Sequence, residues 1–250
     1  MDDLNIKSKS VPVLQAQNVA AGYRRGEAIV HNFALEVYPG EIIGIIGPNG
    51  AGKSTVLKAL LGLLDERQGQ VELPGPEKGG YAYIPELPTL YEELTLKEHL
   101  ELIGMAYDLP LVEFEQRTEH LLQQFGLQHQ RYDYPGGFSK GMRQKIMIMC
   151  ALLTTPAVYF VDEPFNGLDP FAMQELLQWF KQEKERGAGI VLSTHVLDVG
   201  ERICDRFILL QGGEILAQGN LPELQRLAGM PGGDLLQVFI HLAGGGLTCS

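Results

Sequence analysis

Gly47-Pro48-Asn49-Gly50-Ala51-Gly52-Lys53-Ser54-Thr55 fits the phosphate-binding loop pattern G-x-x-x-x-G-K-[ST] at every fixed position. Ahead of it, Glu41 to Ile46 is a short apolar, β-branched run that reads as a buried parallel strand. Behind it, Lys53 to Leu64 places apolar residues at helical spacing. The strand delivers the chain to a tight turn whose glycines let backbone N–H groups close around a polyphosphate, and the helix N-terminus favours the same charge. Lys53 then reaches the β- and γ-phosphates, and the Ser54 hydroxyl ligates Mg²⁺. Strand, loop and helix in this order predict a nucleoside triphosphatase of the α/β class.

The 250 residues, 45% of them hydrophobic, suffice to bury one substantial core, with room for a subdomain. A formal net charge of -11 opposes loose, charge-driven binding to nucleic acid. Cys150, Cys204 and Cys249 are odd in number, widely spaced and form no C-x-x-C, a pattern of reduced thiols rather than a disulfide framework. The opening MDDLNIKSKS has no apolar core of a signal peptide. No apolar stretch reaches the roughly 20 residues of a spanning helix, so any membrane role is expected through a partner.

Along the chain, Val11 to Gln17, Ala28 to Tyr38 and Glu41 to Ile46 read as strands joined by turns at Gly22 and Pro39-Gly40. Their clustering suggests a small antiparallel sheet beside the nucleotide strand. Tyr23 lies between the first two, placed either to stack on an adenine or simply to sit amphipathically at the surface. Gln70 to Leu73 and Tyr81 to Ile84 are further strands, and the prolines of Pro85-Glu86-Leu87-Pro88 impose an extended segment. From Thr95 to about Leu153 the pattern is helical: Thr95 with Glu98 fits a capping box, and Ser139 reads as the N-cap of KGMRQKIMIMCALL.

Ala157 to Val161 is an apolar strand ending in Asp162-Glu163-Pro164, and the C-terminal ends of such strands are where open α/β sheets bind ligands. Asp162 is the candidate for the Mg²⁺ shell and Glu163 for accepting a proton from attacking water, against the plain reading of two loop carboxylates. Asp169 with Pro170 reads as the N-cap and first residue of a helix. Gly189 to Ser193 is another short strand, with His195 just beyond it as Asp162 is beyond its own; a structural histidine is the alternative. Phe207 to Leu210 and Glu214 to Ala217 make a hairpin around Gly212-Gly213. Helical patterns at Pro222 to Leu227 and Asp234 to Leu242 follow, and Gly244 to Ser250 is expected to fray.

Taken in order, the phosphate loop, the helical insertion, FSKGM (Phe138 to Met142), VDEP (Val161 to Pro164), NGLD (Asn166 to Asp169) and His195 resemble the ATP-binding subunit of an ABC transporter across nearly the whole chain. YIPELPTLYEELTLKEHLEL and FSKGMRQKIMIMC are most similar to the Ecs-type ATP-binding proteins of exporters in Gram-positive bacteria. The resemblance implies a P-loop core with an antiparallel β subdomain at about 11–88 and 155–220, a helical subdomain at 89–154, and C-terminal helices with a tail at 221–250. It implies Tyr23 as the adenine-stacking ring, Glu163 as general base, His195 on the γ-phosphate, and Asp162 and Ser54 at Mg²⁺. Ser139, Gly141 and Met142 occupy the signature motif that meets the nucleotide of the opposite subunit, and Asp169 joins the nucleotide site besides capping its helix. ATP and Mg²⁺, a second ATP-binding subunit (a second copy of the chain in the simplest case) and a separate membrane permease are the implied partners, with no nucleic acid. The implied location is the inner face of the cell membrane.

Two motifs depart from the family pattern. Where the signature is usually LSGGQ, Lys140 stands for Gly and Met142 for Gln; Lys140 either adds charge near the phosphates or faces solvent. After Ile84-Pro85 the usual Gln, which touches Mg²⁺ or the attacking water, is Glu86, whose charge beside the γ-phosphate is expected to make hydrolysis depend more on partner docking. Two other readings compete. A soluble ABC-type ATPase acting on a ribosome, DNA or a regulatory protein usually carries two nucleotide domains, a coiled-coil insertion or basic tails, whereas this chain has one phosphate loop and an acidic balance. A GTPase should carry N-K-x-D, and none is present.

Overall fold

The computed structural model describes residues 11–244, and within them the strands divide between two sheets. β1 (Leu14–Gly22) lies between β2 (Val30–Val37) and β4 (Glu66–Glu72), antiparallel to both. The second sheet has the spatial order β5 (Tyr81–Ile84), β6 (Val158–Asp162), β7 (Gly189–Thr194), β3 (Ile42–Ile46), β8 (Arg206–Gln211) and β9 (Glu214–Gly219). It is parallel throughout except for the final β8–β9 pair. The α/β class with a mainly parallel sheet and a small antiparallel one is therefore observed.

β3 is apolar at every position because both of its faces are covered, as parallel strands require. Ile43 and Ile45 meet Val56, Leu57 and Leu60 of α1 (Lys53–Leu60) and the inner side of the antiparallel sheet at Leu14, Phe33 and Leu35. Ile42 joins the opposite core, which contains Trp179 and Phe180 of α5 (Pro170–Arg186) and also reaches the helical segment inserted between β5 and β6. That segment is α2 (Leu96–Ala106), α3 (Leu111–Gln124) and α4 (Lys140–Leu153), with Leu96, Leu100, Leu122 and Met149 fully buried. The Thr95–Glu98 capping box and the Ser139 cap form as expected. α6 (Leu197–Ile203), α7 (Leu221–Ala228) and α8 (Leu235–Ala243) close the fold around Leu224, Leu235 and Val238. No helix among the described residues is long and apolar enough to cross a membrane. Cys150 and Cys204 carry free thiols. The expectations for residues 1–10 and 245–250, Cys249 included, lie outside the described residues.

Three boundaries differ from the sequence reading by four residues or more. β1 continues past Gln17 to Gly22, which is therefore strand and not turn: Asn18 takes φ 51°, the register with β2 and β4 shifts there, and pairing resumes at Val19 and Ala20. β4 begins at Glu66, not Gln70, because Glu66, Arg67 and Gln68 pair by backbone with Gly22, Ala21 and Ala20 while their side chains stay exposed. The helix after the phosphate loop ends at Leu60. Gly62 takes φ 71°, and its N–H and that of Leu63 return to Ala59 and Lys58 carbonyls, which closes the helix.

The β8–β9 turn braces the phosphate loop. Gly213 donates from its N–H to Ala51 O (3.1 Å), accepts from His31 N–H (2.9 Å), has φ +83°, and would place a Cβ 1.7 Å from Ile29 O. Gly213→Ala is expected to lower stability by about 2 kcal/mol, read as a Tm lower by roughly 4–8 °C. An unchanged melting curve would remove this brace from the account.

Candidate functional site

Because β3, β5, β6 and β7 run parallel, their C-terminal ends emerge on one edge of the sheet. The phosphate loop follows β3, Glu86 follows β5, Asp162 ends β6 with Glu163 next to it, and His195 follows β7. A cavity of about 460 Å³ opens there, lined by Asn49, Gly50, Gly52, Lys53, Ser54 and Thr55 together with Ile29, Glu86, Glu163, Asn166 and His195.

The loop is shaped by its glycines. A Cβ on Gly47 would lie 2.4 Å from Leu210 O, so only glycine lets β3 turn this close to β8. Gly52, at φ 100°, is the N-cap of α1 and offers no side-chain cap, which leaves first-turn N–H groups of α1 for an anion. Pro48 and Ala51 form the back of the loop through their carbonyls, the first toward Lys53 and the second toward Gly213. Lys53 Nζ is received by Gly47 O (2.9 Å) and Pro48 O (3.2 Å) and stands 3.0 Å from Glu163 Oε1.

Three acidic side chains hold different positions. Asp162 is buried and accepts from Ser54 Oγ (3.0 Å) and Ser193 Oγ (2.5 Å) at Oδ1, and from Tyr83 OH (3.5 Å) at Oδ2. Burial and the adjacent Asp162 carboxylate push the Tyr83 hydroxyl well up, so it keeps its proton and stays a donor. Glu163 is also buried. Its Oε2 accepts from His195 N (3.2 Å) and faces His195 Nδ1 (2.8 Å), while Oε1 has the Lys53 ammonium beside it but makes no hydrogen bond. Its backbone is at φ 45°, a conformation a non-glycine residue keeps only when its surroundings enforce it. Here the Glu163 N–H is fixed on both Ser193 O and Ser193 Oγ at 3.1 Å. Glu86 is exposed at the cavity mouth and accepts from Asn166 Nδ2 at 3.2 Å.

Five predicted residues stand off this cavity. Tyr23 is 55% exposed on the loop after β1, with Lys58 Nζ 5.4 Å above its ring and 3.4 Å from its hydroxyl. Ser139, Gly141 and Met142 form the start of α4, where Ser139 Oγ accepts from Met142 N (3.2 Å). Asp169 Oδ1 accepts from Phe171 N and Ala172 N, both at 2.9 Å, so its carboxylate caps α5. The sequence reading missed Ser193, Tyr83, Ile29 and Asn166. The one signal for Ser193 was a hydroxyl inside an otherwise apolar strand, two residues before His195.

Known proteins resemble the chain in sequence and in fold. The family model described as ABC transporter matches residues 30–166. The chain is 44% identical over 238 residues to the ABC-type transporter ATP-binding protein EcsA of Bacillus subtilis, covering 92% of this chain and 96% of that protein. It is 30% identical over 222 residues to the SkfA peptide export ATP-binding protein SkfE of the same organism, covering 86% and 92%. A solved ATP-binding subunit of an ABC transporter superposes with a TM-score of 0.87 at 43% identity, over 92% of this chain and 99% of that one.

Proposed function

We propose the following working cycle for this chain, which belongs to the ABC transporter family and is one of its ATP-hydrolysing subunits. ATP binds with its phosphates on the loop from Gly47 to Thr55, where N–H groups at the start of α1 and the Lys53 ammonium meet its charge. Tyr23 offers its exposed ring to the adenine. The reading of Glu163 as general base is carried by one observation: Oε1 is buried and makes no hydrogen bond, 3.0 Å from Lys53 Nζ at the wall of the cavity. Such an oxygen is able to take a proton from water, while Oε2 stays engaged by His195 and keeps the carboxylate oriented. His195, just past the end of β7, would touch the γ-phosphate.

Ser54 Oγ and Asp162 Oδ1, 3.0 Å apart, are hard oxygen donors of the kind that Mg²⁺ accepts beside phosphate oxygens and water, so these residues fit the ion, with Glu86 at the mouth. Bound there, Mg²⁺ would neutralise charge on the β- and γ-phosphates.

Subunits of this family pair with membrane permeases and act as dimers. For this chain we take the partner to be a second copy, whose nucleotide would meet Ser139, Gly141 and Met142 at the start of α4. The transport direction we propose is export, supported by the likeness to a relative named for peptide export. The permease would seat beside Glu86, where Leu87 and Tyr91 are exposed while Leu90 packs into the core.

The test is capture. The tagged chain, loaded with a non-hydrolysable ATP analogue, is expected to retain a polytopic membrane protein from detergent-solubilised host membranes in stoichiometric amount. The Leu87→Ala/Tyr91→Ala variant is expected to lose it while hydrolysing ATP at the normal rate. Recovery of soluble proteins or ribosomes alone would move the function to a non-transport ATPase.

A further inference from the structure

Glu86 and Lys140, two of the residues that depart from the family pattern, converge on one pair of residues. Glu86, in the place of the usual Gln, accepts from Asn166 Nδ2 at 3.2 Å. Lys140, in the place of a signature Gly, runs its stem along the next residue: a Cβ built on Gly167 would stand 3.2 Å from both Lys140 Cδ and Lys140 Nζ. Asn166-Gly167 is thus met on one side by the extended segment after β5 and on the other by the first residue of α4.

The same pair is coupled to Glu163 through a short turn. Asn166 N–H donates to Glu163 O at 3.3 Å, and Leu168 N–H to Phe165 O at 3.4 Å. Phe165 is buried edge-on against Phe180, which leaves the turn little freedom except at its exposed tip. Glu163 itself sits at a positive φ that its neighbours must enforce. A displacement of Asn166 therefore reaches the Glu163 backbone within three residues.

We propose that Asn166 is a positioning residue for the hydrolytic carboxylate: its hydrogen bond to Glu86 fixes the turn that sets where Glu163 stands in the cavity. This rests on the reading of Glu163 as the base. The contact has a polarity, since a carboxylate only accepts and the Asn amide supplies the donor. That polarity makes it testable by exchange.

Asn166→Asp sets two carboxylates against each other. It is expected to lower kcat about tenfold at pH 8, the factor one hydrogen bond typically supplies, with KM for ATP within about twofold of the original. Adding Glu86→Gln restores one donor and one acceptor. The double variant is expected to be at least about fivefold faster than Asn166→Asp alone, most of the loss attributed to that bond being recovered. A double variant no faster than Asn166→Asp overturns the proposal. If Asn166→Asp does not fold, Asn166→Ala serves: a reduced kcat at unchanged KM supports the positioning role, and an unchanged kcat ends it. Glu163→Gln separates the two levels. Normal turnover in that variant defeats the reading of the base, whereas a dead Glu163→Gln with no rescue between Glu86 and Asn166 defeats only the positioning.

Discussion

Glu163→Gln is expected to slow ATP hydrolysis by about 10²–10⁴-fold, the usual contribution of a general base, while ATP binding persists and an ATP-bound dimer accumulates. The amide keeps the size and the acceptor oxygen of the original, so His195 N–H still has a partner and the turn at Ser193 is undisturbed. What is lost is basicity at Oε1, the oxygen that makes no hydrogen bond. The loop from Gly47 to Thr55, proposed to bind the phosphates, is untouched, hence binding and turnover should separate. Single-turnover hydrolysis and light scattering with ATP and Mg²⁺ measure the two. A variant that turns over at the wild-type rate would place the base elsewhere in the cavity, where Glu86 and His195 are the remaining candidates.

What could be read from the sequence follows from what each residue must satisfy alone. Ile42 to Ile46 is apolar at every position because helices cover both faces of the sheet, and Gly47 to Thr55 matches the phosphate-loop pattern at every fixed position. Those stretches announced the fold and the heart of the site. Glu66 to Gly69 did not, because this half of β4 is held by backbone pairing with β1 while its side chains face solvent, and no alternation of apolar and polar residues results. The continuation of β1 was hidden by Asn18, whose positive φ is a property of the folded register and not of the residue type. Ser193 was hidden for another reason. Its side chain receives Glu163 N–H and donates to Asp162, a relation across 30 and 31 positions of chain that only the pairing of β6 with β7 creates.

Lys53→Ala is expected to remove nucleotide binding and to destabilise the fold as well, by about 3 kcal/mol or more, since removing one partner of a buried ion pair strands the other charge. Lys53 and Glu163 side chains are 6% and 7% exposed and 3.0 Å apart, so solvent cannot replace the lost ammonium. For a chain of this size that loss corresponds to a Tm lower by roughly 6–12 °C. The wild type should also melt higher when ATP is added, because ligand bound only to the native state stabilises it, whereas the variant should show no such rise. The decisive comparison is Lys53→Ala combined with Glu163→Gln. With both charges gone the stranded carboxylate no longer exists, and most of the lost Tm should return although neither binding nor hydrolysis does. If the double variant melts as low as Lys53→Ala alone, the destabilisation belongs to the unsatisfied Gly47 and Pro48 carbonyls and to the missing stem of Lys53. The ion pair would then orient the base without stabilising the fold.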